Sequence, residues 1–305
     1  MYSISDRSDE RHTMTNTEIL WQNLTRDEVA EARDAGAVVA IPIGAIEQHG
    51  SHLPVDTDAR LSTKIAQLAA ARTKTVRVLV APSLPYGFSP HHLSHGGTIS
   101  LRLATYLAVL GDIASSLAQT GFRRIVFVNG HGGNSAPLRS KIAELVTDGL
   151  PVTGVDYWAA ADSQWPDLLN GGLRRFGHAC EFETSLMLAV IGEDTRLGAA
   201  IKDRSAPLKL RTLQPWVVSR DNTDPISDVS AAWPPIFQGD DSGYHGDPAA
   251  ATEETGRKII ELIADRLARF FDDFAAMPIR SGTAFGPDAR HISPPLSTKS
   301  KGTTP

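Results

Sequence analysis

Cysteine is almost absent from this chain, and so are long apolar runs and blocks of basic residues. Cys180 is the single cysteine among 305 residues, which excludes a disulfide framework within one chain and favours a cytoplasmic setting. No apolar run reaches the roughly 18 residues of a membrane-spanning helix, and residues 1–15 lack the apolar centre of a signal peptide. The formal net charge of −5, without a long basic block, argues against nucleic acid as a partner. We therefore expect a protein that binds neither membranes nor nucleic acid.

Apolar segments alternate with helical patterns along most of the chain. Short runs rich in β-branched residues occupy residues 37–45, 76–82, 124–128 and 152–157. Patterns typical of helices occupy residues 26–35, 61–72, 101–120, 135–148, 181–190 and 251–274, the last opened by Asp247-Pro248. Because such strands alternating with helices are typical of a parallel sheet covered on both faces, the sequence predicts an α/β fold. One domain is expected over residues 16–278, with long loops at 195–245 and flexible ends at 1–15 and 279–305.

Four side chains that can bind metal are predicted to gather at one edge of this sheet. Glu47 and His49 follow the first strand, Asp58 lies at the start of the next helix, and His131 follows the third strand. Glu47 and His49 are two residues apart, so an extended backbone turns both to the same side. Ligands bind at the carboxyl ends of the strands in open α/β sheets. A mixed set of carboxylates and imidazoles there suits Zn²⁺, Mn²⁺ or Fe²⁺.

Each of these side chains also has an ordinary structural interpretation. A single Glu or His in a loop is most often solvated or a cap, and only the convergence of several favours a site. The spacing alone leaves His52 as an alternative to His49, and Asp56 as an alternative to Asp58. The Gly-rich turn around His131 has neither the Walker nor the Rossmann spacing of a phosphate-binding loop.

A further group of polar residues surrounds the helix predicted at 181–190. His178 precedes this helix, and Glu183 lies about one turn inside it. Glu181, near the helix N-terminus, can be explained by a favourable interaction with the helix dipole. Cys180 is most simply a small packed residue, since a cysteine nucleophile needs an activating base and an exposed thiolate.

These segments together resemble the signature motifs of the creatininase family of amidohydrolases. The resemblance rests on Glu-Gln-His-Gly-Ser-His-Leu-Pro-Val-Asp-Thr-Asp (47–58), Asn-Gly-His-Gly-Gly-Asn (129–134) and His-Ala-Cys-Glu-Phe-Glu-Thr-Ser (178–185). It implies a three-layer α/β/α sandwich with a mostly parallel central sheet, two divalent metal ions per chain, and hydrolysis of a non-peptide or small cyclic C–N bond. Creatininases are homohexamers, so the resemblance also implies a homo-oligomer.

The resemblance implies a ligand set for each metal ion. The first ion would be held by Glu47, Asp58 and His131, and the second by His49 and the bridging Asp58. In creatininases a glutamate two residues after the histidine of the second motif completes the second set, whereas this chain has Gly133 there. Glu183 of the third motif is the replacement implied by the Gly-Gly branch of the family.

A hydrolytic mechanism follows from this assignment. Two metal ions lower the pKa of a bridging water towards neutrality, and the resulting hydroxide would attack an amide carbonyl. His178 is expected to protonate the leaving nitrogen, and the amides of Gly132 and Gly133 to stabilise the oxyanion. The candidate substrate-contacting side chains are Tyr86, His92 and Trp158. Packing is the favoured explanation for most aromatic residues of this region.

The leading substrate is a small-molecule amide, either a lactam or another small cyclic amide. A formamide, cleaved by a deformylase of the same family, is the alternative within enzymes. A catalytically silent metal-binding or scaffold protein is the alternative from another class, and the intact acidic, histidine and metal positions argue against it.

Overall fold

The computed structural model describes residues 18–212 and 242–279. The ends predicted to be flexible lie outside these ranges, apart from residue 279, and so do residues 213–241 of the expected loop region. No helix in the described ranges is both long and apolar enough to span a bilayer.

A parallel sheet of four strands forms the centre of the described fold. The strands are β1 (Val38–Ile43), β2 (Val78–Val80), β3 (Ile125–Asn129) and β4 (Val152–Asp156), in the order β2-β1-β3-β4. Every neighbouring pair is parallel. All residues of β1, β2 and β3 are buried, which explains why these strands are apolar throughout. The predicted parallel sheet is confirmed.

Helices cover both faces of the sheet. One face carries α1 (Arg26–Asp34), α3 (Leu103–Gln119) and α4 (Gly132–Thr147), and the other carries α2 (Thr57–Ala70), α5 (Glu181–Ile191) and α7 (Glu253–Ala276). Alternate residues of β1 serve the two faces, since Val39 packs with Tyr106 of α3 whereas Val38 packs with Leu61 of α2. The three-layer α/β/α sandwich is therefore confirmed.

One helix was not predicted. Residues 195–245 were expected to form loops, but they contain α6 (Arg196–Ser205), which packs against α5. The hydroxyl of Thr195 accepts a hydrogen bond from the backbone N–H of Gly198 at 3.0 Å, so the helix begins with a side-chain cap. The loop prediction was wrong for this stretch.

The start of the last helix also differs from the prediction. Asp247-Pro248 opens only a 3₁₀ turn, Pro248–Ala250, and the side chain of Asp247 accepts from the backbone N–H of Gly172 at 2.9 Å. The cap of α7 is Thr252, whose hydroxyl accepts from the backbone N–H of Thr255 at 3.1 Å. Asp247 was therefore the wrong cap, because its carboxylate binds a neighbouring loop.

The order of the strands creates a switch point between β1 and β3. The chain passes from β1 through α2 to β2 on one side, and from β2 through α3, on the opposite face, to β3 on the other side of β1. The carboxyl ends of β1 and β3 border the crevice where sheets of this kind bind ligands. Glu47 and His131 follow these two strands.

Two glycines let the first turn of α2 enter this switch point. A Cβ on Gly44 would lie 2.5 Å from the backbone nitrogen of Ala59, and a Cβ on Gly130 would lie 2.5 Å from the backbone oxygen of Asp58. Only glycine permits such a close approach of two backbones. Asp58 is thereby placed between the ends of β1 and β3.

Candidate metal centre and active site

Five buried side chains converge at this edge of the sheet. They come from the segment after β1, from the first turn of α2, from the residue before α4 and from α5, and they are Glu47, His49, Asp58, His131 and Glu183. Each of the five residues is at most 3% exposed. The structure thus brings together the side chains predicted as ligands, and their role as ligands stays a prediction.

Asp58 divides this cluster into two positions. Its Oδ1 lies 3.1 Å from Nε2 of His49, and its Oδ2 lies 3.1 Å from Nδ1 of His131. Oε2 of Glu47 is 3.3 Å from the same His131 nitrogen, and Oε1 of Glu183 is 3.8 Å from the same His49 nitrogen. The first position is bordered by Glu47, Asp58 and His131, and the second by His49, Asp58 and Glu183.

The spacing of these atoms fits two divalent cations. Two ligand atoms on one tetrahedral zinc ion are roughly 3.3–3.6 Å apart, given bonds of about 2.0–2.2 Å. The separations in the cluster are 3.1 to 3.8 Å. Oδ2 of Asp58 is buried and lies 3.1 Å from Nδ1 of His131, but not in the geometry of a good hydrogen bond, which leaves this carboxylate oxygen poorly satisfied. A cation in the first position would satisfy this oxygen.

The carboxylates and imidazoles of the cluster shift one another's pKa values. Burial lowers the pKa of His131, but Glu47 and Asp58 outweigh burial and raise it to about 10. The pKa of His49 also lies well above its ordinary value, because Asp58 and Glu183 outweigh burial. Burial raises the pKa of Asp58, yet the two imidazoles outweigh it and hold the value at about 2. Burial dominates at Glu183, whose pKa is raised.

The two alternative ligands are engaged elsewhere. His52 is buried, with its Nε2 3.1 Å from the hydroxyl of Thr184 and its ring edge-on to Tyr244. Asp56 accepts a hydrogen bond from Arg60 at 2.7 Å. Neither residue belongs to a group of described side chains with the spacing of metal ligands. The geometry therefore favours His49 and Asp58.

Glu181 and Cys180 have structural roles. The carboxylate of Glu181 accepts from the backbone N–H groups of Asn170 and Gly171 at 2.7 and 2.8 Å, and so holds the loop before α5. Cys180 is 1% exposed, and burial raises the pKa of its thiol. A buried thiol of this kind is a packed residue and a poor nucleophile.

Two further imidazoles lie on the more open side of the cluster. Nδ1 of His178 is 3.5 Å from Oε1 of Glu47, and Nε2 of His92 is 3.8 Å from the same oxygen. The two rings stack with their centroids 4.2 Å apart, and their side chains are 21% and 14% exposed. Burial lowers the pKa of both residues, to about 2 in His92 and well below the ordinary value in His178. Both rings are therefore neutral at physiological pH.

Sequence patterns do not single out three polar residues that support the site. They are Gln48, Ser89 and Asn134, all at most 5% exposed. The hydroxyl of Ser89 donates to Oε2 of Glu47. The amide of Asn134 donates to the backbone oxygen of Gly44 at 3.0 Å and accepts from the backbone N–H of Phe88 at 2.9 Å. Ser89 lies in the loop after β2, so a survey of every loop at this edge of the sheet would find it.

Comparison with known proteins identifies a family with this fold. A profile described as creatinine amidohydrolase matches residues 22–271. The chain belongs to the creatininase family. It is a metal-dependent amidohydrolase of that family.

Individual creatininase relatives differ in the reactions that their names describe. The mycofactocin precursor peptide peptidase of Mycobacterium tuberculosis is 32% identical over 239 residues, which cover 76% of this chain and 83% of the relative. The creatinine amidohydrolase of Pseudomonas putida is 36% identical over 180 residues, which cover 52% of this chain and 67% of the relative. A crystal structure of creatinine amidohydrolase matches with a TM-score of 0.68 at 28% identity, covering 85% of this chain and 99% of that one. Structural neighbours include creatininase in a manganese form and in a zinc form.

The creatininase glutamate two residues after His131 has no room in this chain. A Cβ on Gly133 would lie 2.4 Å from Nε2 of His131 and 2.7 Å from Cε1 of His91. The rings of His91 and His131 stack with centroids 5.7 Å apart and fill this space. Glu183 reaches the second position from α5.

The residues predicted to contact the substrate differ in their exposure. Trp158 is 2% exposed and stacks on Phe176 with centroids 4.5 Å apart. Tyr86 is 43% exposed, and Gly132 and Gly133 form the N-terminus of α4. Substrate contacts of Tyr86, His92, Trp158 and these two glycines stay predictions.

Proposed function

We propose that this chain hydrolyses the C–N bond of a small cyclic amide such as a lactam. The observation that carries the proposal is the pair of positions that share Asp58, an arrangement suited to two adjacent ions that activate a water and polarise a carbonyl. The similarity to creatinine amidohydrolases supports a cyclic substrate.

The proposed cofactors are two divalent ions per chain, Zn²⁺, Mn²⁺ or Fe²⁺. The mixed set of carboxylate and imidazole ligands suits these ions. When bound, such ions lower the pKa of a water towards 7 and polarise an amide carbonyl. The manganese and zinc forms of solved creatininases support this choice.

His178 is proposed to move the proton of the reaction. Nε2 of His178 lies 2.9 Å from the backbone oxygen of Gln48, which can only accept, and 3.0 Å from the side-chain Nε2 of Gln48. We assign the ring hydrogen to Nε2 of His178, where it bonds to that oxygen and leaves the lone pair of Nδ1 facing the cluster. A neutral imidazole in this orientation accepts a proton from the attacking water and passes it to the leaving nitrogen. The amides of Gly132 and Gly133 are proposed to stabilise the oxyanion from the N-terminus of α4.

A peptide bond is the second candidate for the scissile bond. It is favoured by the similarity to the mycofactocin precursor peptide peptidase, which extends over 83% of that relative. The open side of the cluster, at His92 and His178, would have to admit an extended chain. A formamide stays as a further alternative within the family.

Metal reconstitution with a substrate panel tests these candidates. The chain is stripped with a chelator, reloaded separately with Zn²⁺, Mn²⁺ or Fe²⁺, and assayed with lactams, creatinine, formamides and short peptides. We expect the highest kcat/KM on a cyclic amide, and no turnover by an Asp58→Asn variant. Turnover of peptides alone would favour the second candidate. No turnover with full metal loading would favour a metal-binding scaffold instead.

The role of His178 has its own test. We expect His178→Ala to retain near-normal metal content while kcat falls by roughly 10²- to 10⁴-fold, the usual contribution of a positioned proton donor. Substrates with better leaving groups should lose less, because their nitrogen needs less protonation. A small loss that ignores the leaving group would show a packing role, and loss of metal would show that His178 is a ligand.

A homo-oligomer is also proposed. The similarity to creatininases supports it, and Val55, Leu93 and Ile99, which are 41%, 56% and 53% exposed, are apolar side chains that a contact between subunits would bury. Light scattering after size-exclusion chromatography measures the assembly, and a monomer across the accessible concentration range would contradict it.

A further inference from the structure

The side chain of Gln48 connects the backbone to a histidine at the mouth of the metal centre. Its Oε1 accepts from the backbone N–H of Gly50 at 2.9 Å, and its Nε2 lies 2.9 Å from Nδ1 of His92 and 3.0 Å from Nε2 of His178. The backbone N–H of Gln48 is held in turn by the hydroxyl of Thr98 at 3.0 Å. Gln48 is 5% exposed, so these contacts fix its amide in place.

These contacts determine which way the amide of Gln48 faces. If its oxygen and nitrogen were exchanged, the NH₂ group would face the N–H of Gly50, and two donors would meet in a buried site. The NH₂ group therefore faces His92. Because an amide NH₂ only donates, Nδ1 of His92 must accept, and in a neutral ring the hydrogen must then be on Nε2.

The Nε2–H of His92 points towards the metal centre. Oε1 of Glu47, at 3.8 Å, is too far away to accept a hydrogen bond from it. The ring of His92 is held parallel to that of His178, whose Nδ1 is 3.5 Å from the same oxygen. A donor and a proton acceptor thus face the same point from adjacent, stacked rings.

We infer that Gln48 locks His92 as an N–H donor, and that His92 Nε2–H holds the carbonyl oxygen of the amide substrate. The inference rests on the proposed hydrolysis of an amide and adds a residue to it. The negative charge that develops on this oxygen strengthens the hydrogen bond in the transition state, so the contact lowers the barrier to reaction. His92 is then a catalytic residue, and Gln48 is a positioning residue that acts through it.

The same geometry argues against a third metal ion. Oε1 of Glu47, Nε2 of His92 and Nδ1 of His178 lie within the spacing of metal ligands. A ring nitrogen that carries hydrogen has no lone pair for a cation, and Gln48 keeps the hydrogen on Nε2 of His92. The donor role and the ligand role of His92 are mutually exclusive.

Solid-state ¹⁵N NMR of histidine-labelled, zinc-loaded protein tests the locked tautomer directly. The His92→Phe variant assigns the two signals of His92. In the wild type, we expect Nδ1 of His92 to be unprotonated and Nε2 to carry the hydrogen. In Gln48→Glu, whose carboxylate can only accept, the hydrogen should move to Nδ1. A protonated Nδ1 in the wild type, or a third zinc ion per chain that His92→Phe removes, would overturn the inference.

Kinetics on the best substrate of the panel test the catalytic role. We expect His92→Phe to lower kcat by roughly 10²- to 10³-fold, as the loss of one oxyanion donor does elsewhere, with KM and metal content nearly unchanged. Gln48→Glu should lower kcat by a similar factor, because Nε2 of His92 then carries no hydrogen. Gln48→Met should lower kcat less, because the ring of His92 stays in place but is no longer held in one tautomer. An unchanged kcat in His92→Phe, or an effect confined to KM, would overturn the catalytic role. Absence of wild-type turnover on every amide would refute the proposed function, and the NMR result would still decide whether Gln48 locks His92.

Discussion

Glu181 and Glu183 lie two positions apart in the first turn of α5 and meet different surroundings. Glu181 accepts from two backbone N–H groups, of Asn170 and Gly171, outside the metal cluster. Glu183 faces His49 at 3.8 Å inside the cluster. Glu181 therefore anchors a loop, whereas Glu183 is a candidate metal ligand.

Matched substitutions separate these two roles. We expect Glu183→Gln to lower the metal content from about two ions per chain to about one, because an amide is a weaker ligand than a carboxylate. Glu181→Gln should keep both ions but lower the free energy of unfolding by about 1–2 kcal/mol, since a buried acceptor of two N–H groups is weakened. Elemental analysis and urea unfolding measure the two effects. Equal metal loss in both variants would show that the assignment is wrong.

At the scale of elements, the end of α7 is tied to the loop between α2 and β2. Asp272 accepts from the backbone N–H groups of Lys74 and Thr75 at 3.0 and 2.9 Å, and from the hydroxyl of Thr75 at 2.7 Å. Burial raises the pKa of Asp272, but these hydrogen bonds outweigh burial and lower it. A lowered pKa means that the stabilisation is present above pH about 4 and is lost as the pH falls through the folded-state pKa.

Substitution of Asp272 should show this dependence. We expect Asp272→Asn to lower the free energy of unfolding by about 1 kcal/mol at pH 7, a value discounted for partial exposure. The difference from the wild type should shrink towards pH about 3, because the wild-type carboxyl is then losing its charge. Urea unfolding at both pH values measures it, and Asp273→Asn, at the exposed neighbour, is the control. A loss that does not change with pH would contradict the charged role of Asp272.

Helices and strands whose sequence shows a single clear pattern could be predicted. The four strands are apolar throughout because helices cover both faces of the sheet, and that pattern predicts parallel pairing. The helix α6 escaped prediction because it is short and lies in a stretch dense in residues typical of loops. The cap of α7 was misplaced because Asp247-Pro248 and Thr252 both carry start signals, and only the contact of Asp247 with Gly172 decides between them.

Some residues of the candidate site could likewise be predicted from the sequence, and others could not. Glu47, His49, Asp58 and His131 could be predicted because each lies at a strand end or helix start of one sheet edge. Glu183 came from the resemblance to creatininases. Gln48 and Ser89 act through partners such as His92 and Glu47, which lie 44 and 42 residues away along the chain. Such pairs depend on tertiary structure, which no local pattern records.

For the molecule as a whole, the buried cluster links metal binding to protonation. In the metal-free chain the pKa of His131 is raised to about 10, and that of His49 lies well above its ordinary value. Both rings therefore carry a proton at neutral pH. Metal ions bind only the unprotonated imidazole, so each ring would have to lose its proton to serve as the proposed ligand.

Metal removal and reloading should reveal these protons. We expect about two protons to be released per chain when the stripped protein takes up zinc at pH 7, one each from His49 and His131. The apparent affinity should rise with pH up to about 10, because the competing protons are then lost. Calorimetric titration in buffers of different ionisation enthalpy counts the protons. Glu183→Gln should release fewer, since His49 loses one of its carboxylates, and no release by the wild type would contradict the raised pKa values.

Asp58 directs one oxygen to each position, so ions proposed for the two positions would not bind as independent sites. An ion on one oxygen changes the charge and the orientation of the carboxylate that the other ion must use. By thermodynamic reciprocity, the factor by which the first ion alters the affinity for the second is the same in both directions. We therefore expect the candidate metal centre to load as one coupled unit, which a single dissociation constant does not describe.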